Sequence, residues 1–215
     1  MNKHLLKHFS LLLMMCCFAI GLSAQITQTV NYTGGTVTVD ATGNFGLAIP
    51  ADIAFSFPVD YVIEDISVTV NFDKTDGSCV TPAGGLSFHN ETSIQLRTGL
   101  GATAVIAPAG TWSGNVDITP GVSVSFEDGN PAPSGTPTSG LFSPSAAFST
   151  LAGTDPAGLW QIEFGDNASG DPLCVQSFSI TVDAVPINND CVDAIALASG
   201  ASHVQNTVGL SLIHI

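Results

Sequence analysis

The chain has 215 residues, of which 45% are hydrophobic and 10% are charged, and its formal net charge at pH 7 is −14. Four lysine and arginine residues stand against 18 acidic residues, which is too little positive charge to neutralise a phosphate backbone, so nucleic-acid binding is excluded. The length suits one sandwich-sized domain with its own core and a short remainder.

The first 24 residues have the pattern of a targeting segment. Lys3 and Lys7 precede an apolar run at 9–22, and Leu-Ser-Ala stands directly before Gln25, where a signal peptidase cuts. We therefore expect 1–24 to be a signal peptide and the protein to be secreted or held at the extracellular cell surface. The run is shorter than the roughly 20 residues of a membrane span, and no later segment is a candidate transmembrane segment.

Short segments of alternating apolar and polar residues recur along the rest of the chain, separated by turns rich in Gly, Pro, Asn and Asp. Such alternation is typical of half-buried strands, and eight of them predict an all-β fold, an antiparallel jelly-roll-like β-sandwich. Residues 25–42 fit either leading strands or a linker. The eight segments are 36–40, 55–57, 66–72, 93–97, 103–107, 122–126, 159–164 and 178–182.

The last two of these segments predict a hairpin. Each has large apolar residues at alternate positions, which lie on one face of an extended strand. The segment 165–172 between them consists mostly of Gly, Asp, Asn, Ser and Pro, the residues that turns use. We therefore expect the two strands to be neighbours.

The stretch 122–182 carries several features in a fixed order. They are Phe126, Glu127 and Asp128 at the end of a strand, a Pro/Gly/Ser loop, Gly-Leu-Phe-x-Pro at 140–144, Gly-Thr-Asp-Pro-Ala-Gly at 153–158, Leu-Trp-Gln-Ile-Glu-Phe at 159–164, and Gly-Asp at 170–171 before a final strand. In this order the stretch resembles the second half of the P domain, or Homo B domain, a β-sandwich found beside subtilisin- and kexin-like serine proteases. The resemblance extends over about residues 43–183.

The resemblance implies a non-catalytic module that stabilises or assists an adjacent protease domain, and hence an association with serine-type endopeptidase activity and proteolysis. In those proteases the sandwich follows the catalytic domain, whereas here it comes directly after the targeting segment, so the attachment of a protease is open. The alternative is a surface adhesion or carbohydrate-binding module with a surface glycan as partner. A third option is a hydrolase whose catalytic domain lies further along the protein.

The sequence changes character after Asp183. Residues 184–209 start as a linker and continue with Asn-Asp-Cys-Val-Asp-Ala-Ile, which is similar to the opening of a repeated domain common in secreted proteins of Bacteroidetes-type bacteria. We expect this region to begin a second, truncated domain. The hexapeptide 210–215 resembles a translated sequencing-adapter tail and carries no functional inference.

Three cysteines follow the targeting segment. In the oxidising environment of an exported protein we expect Cys79 and Cys174 to form a disulfide between the loop after an early strand and the start of the last strand. The alternative is two free, buried thiols. Cys191 is left without a partner.

Catalytic chemistry is sparse in this sequence. A serine protease needs a nucleophile activated by a histidine base and an orienting acid, and the only histidine within 43–183 is His89. We interpret His89 as a solvated loop residue and assign no catalytic residue. Zinc binding is excluded because clusters of His and Cys are absent.

Calcium is the one candidate cofactor, because oxygen ligands are plentiful in the turns. Ordinary turns use the same residue types, so we favour purely structural roles over calcium binding. The first candidate ligands are Asp155, Asp166 and Asp171, and the further ones are Asn167, Glu127 and Asp128.

Trp112 is the candidate ligand-binding aromatic. It lies in a loop-like Thr-Trp-Ser-Gly sequence, where an exposed indole could stack on a sugar ring. We favour packing of the indole in the core over this sugar-binding role.

Overall fold

The chain folds into two packed β-sheets in the computed structural model, which describes residues 25–81 and 85–187. The expected targeting segment, the expected second domain with Cys191, and the terminal hexapeptide lie outside the described residues. Within that described part the helical segments are two short 3₁₀ turns, His89–Glu91 and Phe148–Leu151, and neither has the length of a membrane-spanning helix. The strands are β1 (Ile26–Tyr32), β2 (Val37–Val39), β3 (Gly43–Pro50), β4 (Tyr61–Lys74), β5 (Thr92–Arg97), β6 (Thr103–Ala107), β7 (Val122–Phe126), β8 (Gly140–Phe142), β9 (Gln161–Asp166) and β10 (Leu173–Pro186).

The strands form a six-stranded and a four-stranded sheet. The first has the order β1-β10-β4-β7-β8, with β2 also paired to β10, and the second has the order β3-β9-β5-β6. Neighbouring strands are antiparallel, apart from the short parallel contact of β7 with β8. Apolar side chains from both sheets form one core. The predicted all-β, antiparallel jelly-roll-like sandwich is confirmed.

Residues 25–42 contribute leading strands to the first sheet. β1 pairs with β10 from Ile26 opposite Ala184 to Tyr32 opposite Phe178. β2 continues along the same edge, with Val39 opposite Leu173. The sandwich therefore includes strands that lie before residue 43.

Irregular backbone explains where the strand predictions fall short. β10 has a register shift between Val175 and Ser177, and its first three residues are all buried, so its alternation becomes visible only after the bulge. β3 was not predicted, because its pairing with β9 shifts between Gly43 and Leu47 and Phe45 has a φ of 54°. β8 is a three-residue strand that is too short to show a period.

The predicted hairpin of the last two strands is wrong. β9 lies between β3 and β5 in the four-stranded sheet, whereas β10 lies between β1 and β4 in the other sheet. Residues 167–172, which we call the crossover loop, therefore pass from one sheet to the other. Alternation identifies the inward face of a strand but not its neighbour, and the residues that close a hairpin also suit a connection between sheets.

Aromatic side chains fill much of the core. Trp160 is fully buried, its Nε1–H donates to the Pro156 carbonyl at 3.0 Å, and its ring meets Phe55 edge-on at 5.2 Å. The predicted strand 55–57 is absent, and Phe55 instead makes an isolated bridge with Gly158. This bridge positions the Phe55 ring against the indole.

Candidate functional site

A lysine is buried at one end of the sandwich. Lys74 is the last residue of β4, two positions after Phe72 and four after Val70, whose side chains both face inward. Because alternate residues of a strand lie on the same face, the Lys74 side chain also points inward. Its side chain is 0% exposed. A buried ammonium is tolerated only when it is paired and hydrogen-bonded, so its partners define the site.

Two aspartates bind the Lys74 ammonium. Nζ donates to Asp166 Oδ2 at 2.9 Å and to the backbone carbonyl of Asp171 at 2.5 Å. Asp171 Oδ2 lies 3.3 Å from the same nitrogen. Asp166 ends β9 and Asp171 lies in the crossover loop, so the lysine connects the two sheets and the loop between them.

A third carboxyl group, from Glu91, lies against Asp166. The register of β5 and β9 places Thr92 opposite Asp166, so the preceding Glu91 reaches the same end of the sheet. Burial raises the pKa of Glu91, and the Asp171 charge raises it further while Lys74 opposes the shift. Burial also raises the pKa of Asp166, against the lowering effect of Lys74.

Each of the two carboxyl groups has a buried oxygen without a hydrogen-bond donor. These atoms are Glu91 Oε2 and Asp166 Oδ1. Two interacting carboxylates cannot both ionise at low cost. The raised pKa of Glu91 favours a proton on that group, and such a proton would supply a donor to Asp166.

His89 lies at the same end and is fully buried, so its interpretation as a solvated loop residue is wrong. Its ring Nε2–H donates to the Val116 carbonyl at 2.7 Å, and Nδ1 has no hydrogen-bond partner. The His89 N–H donates to the Gly114 carbonyl at 3.1 Å, which fixes the 3₁₀ turn that directs the ring inward. Burial lowers the pKa of His89, the Val116 carbonyl opposes this shift, and the Lys74 charge adds to it.

We expect His89 to make the protein less stable as the pH falls below 6.5, its ordinary pKa. The unfolded chain then binds a proton that the folded protein does not bind, so stability falls by at most about 1.4 kcal/mol per pH unit. The stability advantage of the wild type over His89→Gln should therefore decrease as the pH falls from about 7.5 to about 5, in urea titrations. The raised pKa values of Glu91 and Asp166 change stability with pH in the opposite direction. Both groups are present in the wild type and in His89→Gln, so their contributions cancel in the stability difference between the two proteins. A difference that is independent of pH would contradict a buried neutral imidazole.

The three first candidate calcium ligands do not form one cluster. Asp166 and Asp171 contact the Lys74 ammonium, which compensates one of their two negative charges. Asp155 is exposed and accepts the Ala157 N–H at 2.8 Å, as a turn residue does. Across residues 25–81 and 85–187, no group of three or more His, Cys, Asp or Glu side chains is arranged to hold a metal ion.

The further candidate ligands also lie apart. Asp128 accepts the Phe148 and Ser149 N–H groups at 2.8 Å each, at the start of the second 3₁₀ turn. Asn167 is exposed in the crossover loop. Glu127 lines a shallow groove with Asp65 and Asp183 on the strands β4 and β10. These side chains hold turns or face solvent.

Trp112 packs in the core, so it is not an exposed stacking platform. It is 2% exposed, and its ring centroid lies 5.9 Å from that of Phe72. The loop after β6 turns back where the Thr111 N–H donates to the Pro108 carbonyl at 3.1 Å, and this turn brings the indole inside. A fully packed indole cannot stack on a sugar, so Trp112 does not support the carbohydrate-binding alternative.

Cys79 and Cys174 form a disulfide, with Cα atoms 5.5 Å apart. Cys79 lies in the loop after β4, and Cys174 is the second residue of β10. The register of β4 and β10 places Cys174 opposite Asp73, next to Lys74. The crosslink is therefore at the same end of the sandwich as the buried lysine.

Lys74 and Glu91 were not predicted as site residues from the sequence. The signal for Lys74 was present, because the residues at 66, 68, 70 and 72 form the apolar face of β4 and position 74 continues it. No comparable pattern marks Glu91, whose position depends on the pairing of β5 with β9.

Comparisons with known proteins leave the family open. No protein-family model matches the chain, and no curated protein matches it. Crystal structures of a serine protease from Aeromonas sobria, with the chaperone ORF2 and without it, give TM-scores of 0.38 and 0.34 at 13% identity. The matches cover 75% and 74% of this chain but only 27% of each protease chain. A T13 IBDV viral particle gives a TM-score of 0.22 at 9% identity over 79% of this chain and 42% of the other.

Proposed function

We propose that the sandwich is a non-catalytic accessory module of the P/Homo B type, which stabilises an adjacent domain of an exported protein. By family association that domain is a serine endopeptidase, and the process is proteolysis. The ordered features of 122–182 support this proposal, since they lie on consecutive strands from β7 to β10 of one sandwich. The Cys79–Cys174 disulfide supports export, because such bonds persist in oxidising compartments.

The environment of His89 supports the proposal that the module is non-catalytic. A serine nucleophile needs a histidine nitrogen within hydrogen-bond reach of its hydroxyl group and an acid on the other nitrogen. Nε2 of His89 is bound to a backbone carbonyl, and Nδ1 has no partner. His89 is the one histidine among the residues that the structure describes, so no catalytic triad is built there.

We expect the chain without residues 1–24 to hydrolyse no peptide substrate. The assay uses a panel of fluorogenic peptides, with a known serine protease as positive control and His89→Gln as the variant. Wild type and variant should both match the buffer blank. Hydrolysis that copurifies with the folded wild type and disappears in a folded His89→Gln protein would overturn the proposal.

The stabilising role is testable in the complete protein encoded by the gene. Deleting residues 25–187 should shorten the half-life of the neighbouring domain at elevated temperature, because the module covers and holds part of its surface. The matched control is full-length protein with Leu100→Ser, a substitution of an exposed side chain that leaves the module in place. An unchanged half-life after the deletion would reject the stabilising role.

A further inference from the structure

We propose that Lys74 and Asp166 become joined by an intramolecular isopeptide bond, through condensation of the lysine amine with the aspartate carboxyl group, assisted by Glu91. Nζ and Asp166 Oδ2 are 2.9 Å apart, and both side chains are 0% exposed. Groups held in contact in a productive orientation react with effective molarities of about 10⁵ M or more. The fold therefore supplies the proximity that this condensation requires.

The reaction needs no external reagent. Nζ forms a bond to Cγ of Asp166, and the bond from Cγ to Oδ2 breaks. The ammonium gives up two protons, which leave with Oδ2 as one water molecule. An ion pair becomes a neutral amide, so atoms and charge balance.

Glu91 activates the carboxyl group from its other side. The Glu91 and Asp166 side chains interact, and Glu91 Oε2 and Asp166 Oδ1 are both buried without a hydrogen-bond donor. A protonated Glu91 donates to Oδ1, draws electron density from Cγ and recovers its proton when the amide has formed. Burial raises the pKa of Glu91, which favours the protonated form that this step uses.

The condensation replaces a buried ion pair with a neutral amide and so removes the desolvation penalty of that pair. It also takes the cation away from Asp171, whose carboxylate keeps the Phe88 N–H as a hydrogen-bond donor. Lys74 and Asp166 are 92 positions apart, one in each sheet. Their bond would crosslink the two layers and restrict the unfolded chain, as a disulfide does.

Trypsin and mass spectrometry test the proposal directly. Lys74 and Arg97 are the only lysine or arginine residues after residue 24. With the bond, the reduced and denatured chain should be one water molecule lighter than its sequence, and cleavage after Lys74 should be blocked. The peptide 25–97 should then remain joined to the peptide that starts at 98. A full sequence mass with complete cleavage into 25–74, 75–97 and the remainder would overturn the proposal.

Two variants assign the roles of the residues. Lys74→Arg keeps a cation but has no amine that can condense, and it should show the full mass. A loss of water that persists in Lys74→Arg would place the dehydration elsewhere and overturn the proposal.

Glu91→Ala should also show the full mass, with folding confirmed by near-ultraviolet circular dichroism. Retention of the bond in Glu91→Ala would reject the role of Glu91, and the wild-type measurement decides the bond even where a variant does not fold.

Discussion

Replacing Lys74 with methionine should lower the free energy of unfolding by about 3–5 kcal/mol. Methionine fills a similar volume but leaves Asp166 and Asp171 buried without their cation, and uncompensated buried charge is the costly result of removing one partner. The measurement is urea unfolding near neutral pH in a Glu91→Ala background, in which we expect no isopeptide bond, so that the difference reports the ionic contacts alone. The loss should decrease at acid pH, because burial raises the pKa of Asp166 and its protonation removes part of the uncompensated charge.

The Arg97–Glu163 pair provides a matched control. Arg97 Nε donates to Glu163 Oε1 at 2.6 Å, but the Arg97 side chain is 40% exposed. Solvent screens such a pair, so Arg97→Met should cost about 1 kcal/mol or less. Equal losses for the two substitutions would contradict a special role for the buried lysine.

The regular strands were predictable because burial selects one face of a strand at every second residue. β6 and β7 have the bounds that the alternation predicted, Thr103–Ala107 and Val122–Phe126. β3 was not predicted because its backbone is irregular at Phe45 and the register of its pairing with β9 shifts. The two-residue alternation of apolar and polar residues thus predicts strands where the backbone is regular. It fails to predict them where turns and bulges interrupt the strand.

The pairing of strands was less predictable than their positions. The last two segments are close in sequence and separated by turn residues, which favoured a hairpin, yet β9 and β10 belong to different sheets. The crossover loop brings Asp171 back over the end of β4, where it binds Lys74. The site depends on this long-range topology, so local patterns in the sequence could not assemble it.

The candidate site was predicted in part. Asp166 and Asp171 were singled out as acids in turn-rich sequence, and the structure brings both to the same ammonium. Their partner was overlooked because a lysine at the end of a strand is ordinarily solvent-exposed. His89 was interpreted as solvated because its sequence is loop-like, but its loop folds inward and buries the ring, whereas the favoured interpretation of Trp112 as a packed residue agrees with its burial. Burial of loop residues follows from tertiary contacts that no local pattern encodes.

In a Glu91→Ala background, in which we expect no isopeptide bond, removing the Cys79–Cys174 disulfide should lower the free energy of unfolding by roughly 4–5 kcal/mol, because the bond closes a loop between residues 95 positions apart and restricts the unfolded chain. In this background the Cys79→Ala/Cys174→Ala protein and the reduced parent protein should lose similar amounts in urea unfolding. Alanine at 174 also removes a buried sulfur atom, so the variant should be slightly the less stable of the two. Unchanged stability on reduction would contradict this role of the bond.

A non-reduced digest identifies the bond and also tests Cys191, which we expect to pair with neither of the other two cysteines. A protease that cuts before aspartate separates Cys174 from Cys191, because Asp183 lies between them. The peptide with Cys79 should then be linked to the peptide with Cys174 alone. A link from Cys79 to the peptide with Cys191 would contradict the pairing in the structure, and the end of the sandwich around Lys74 would lose the crosslink that holds the loop after β4 against β10.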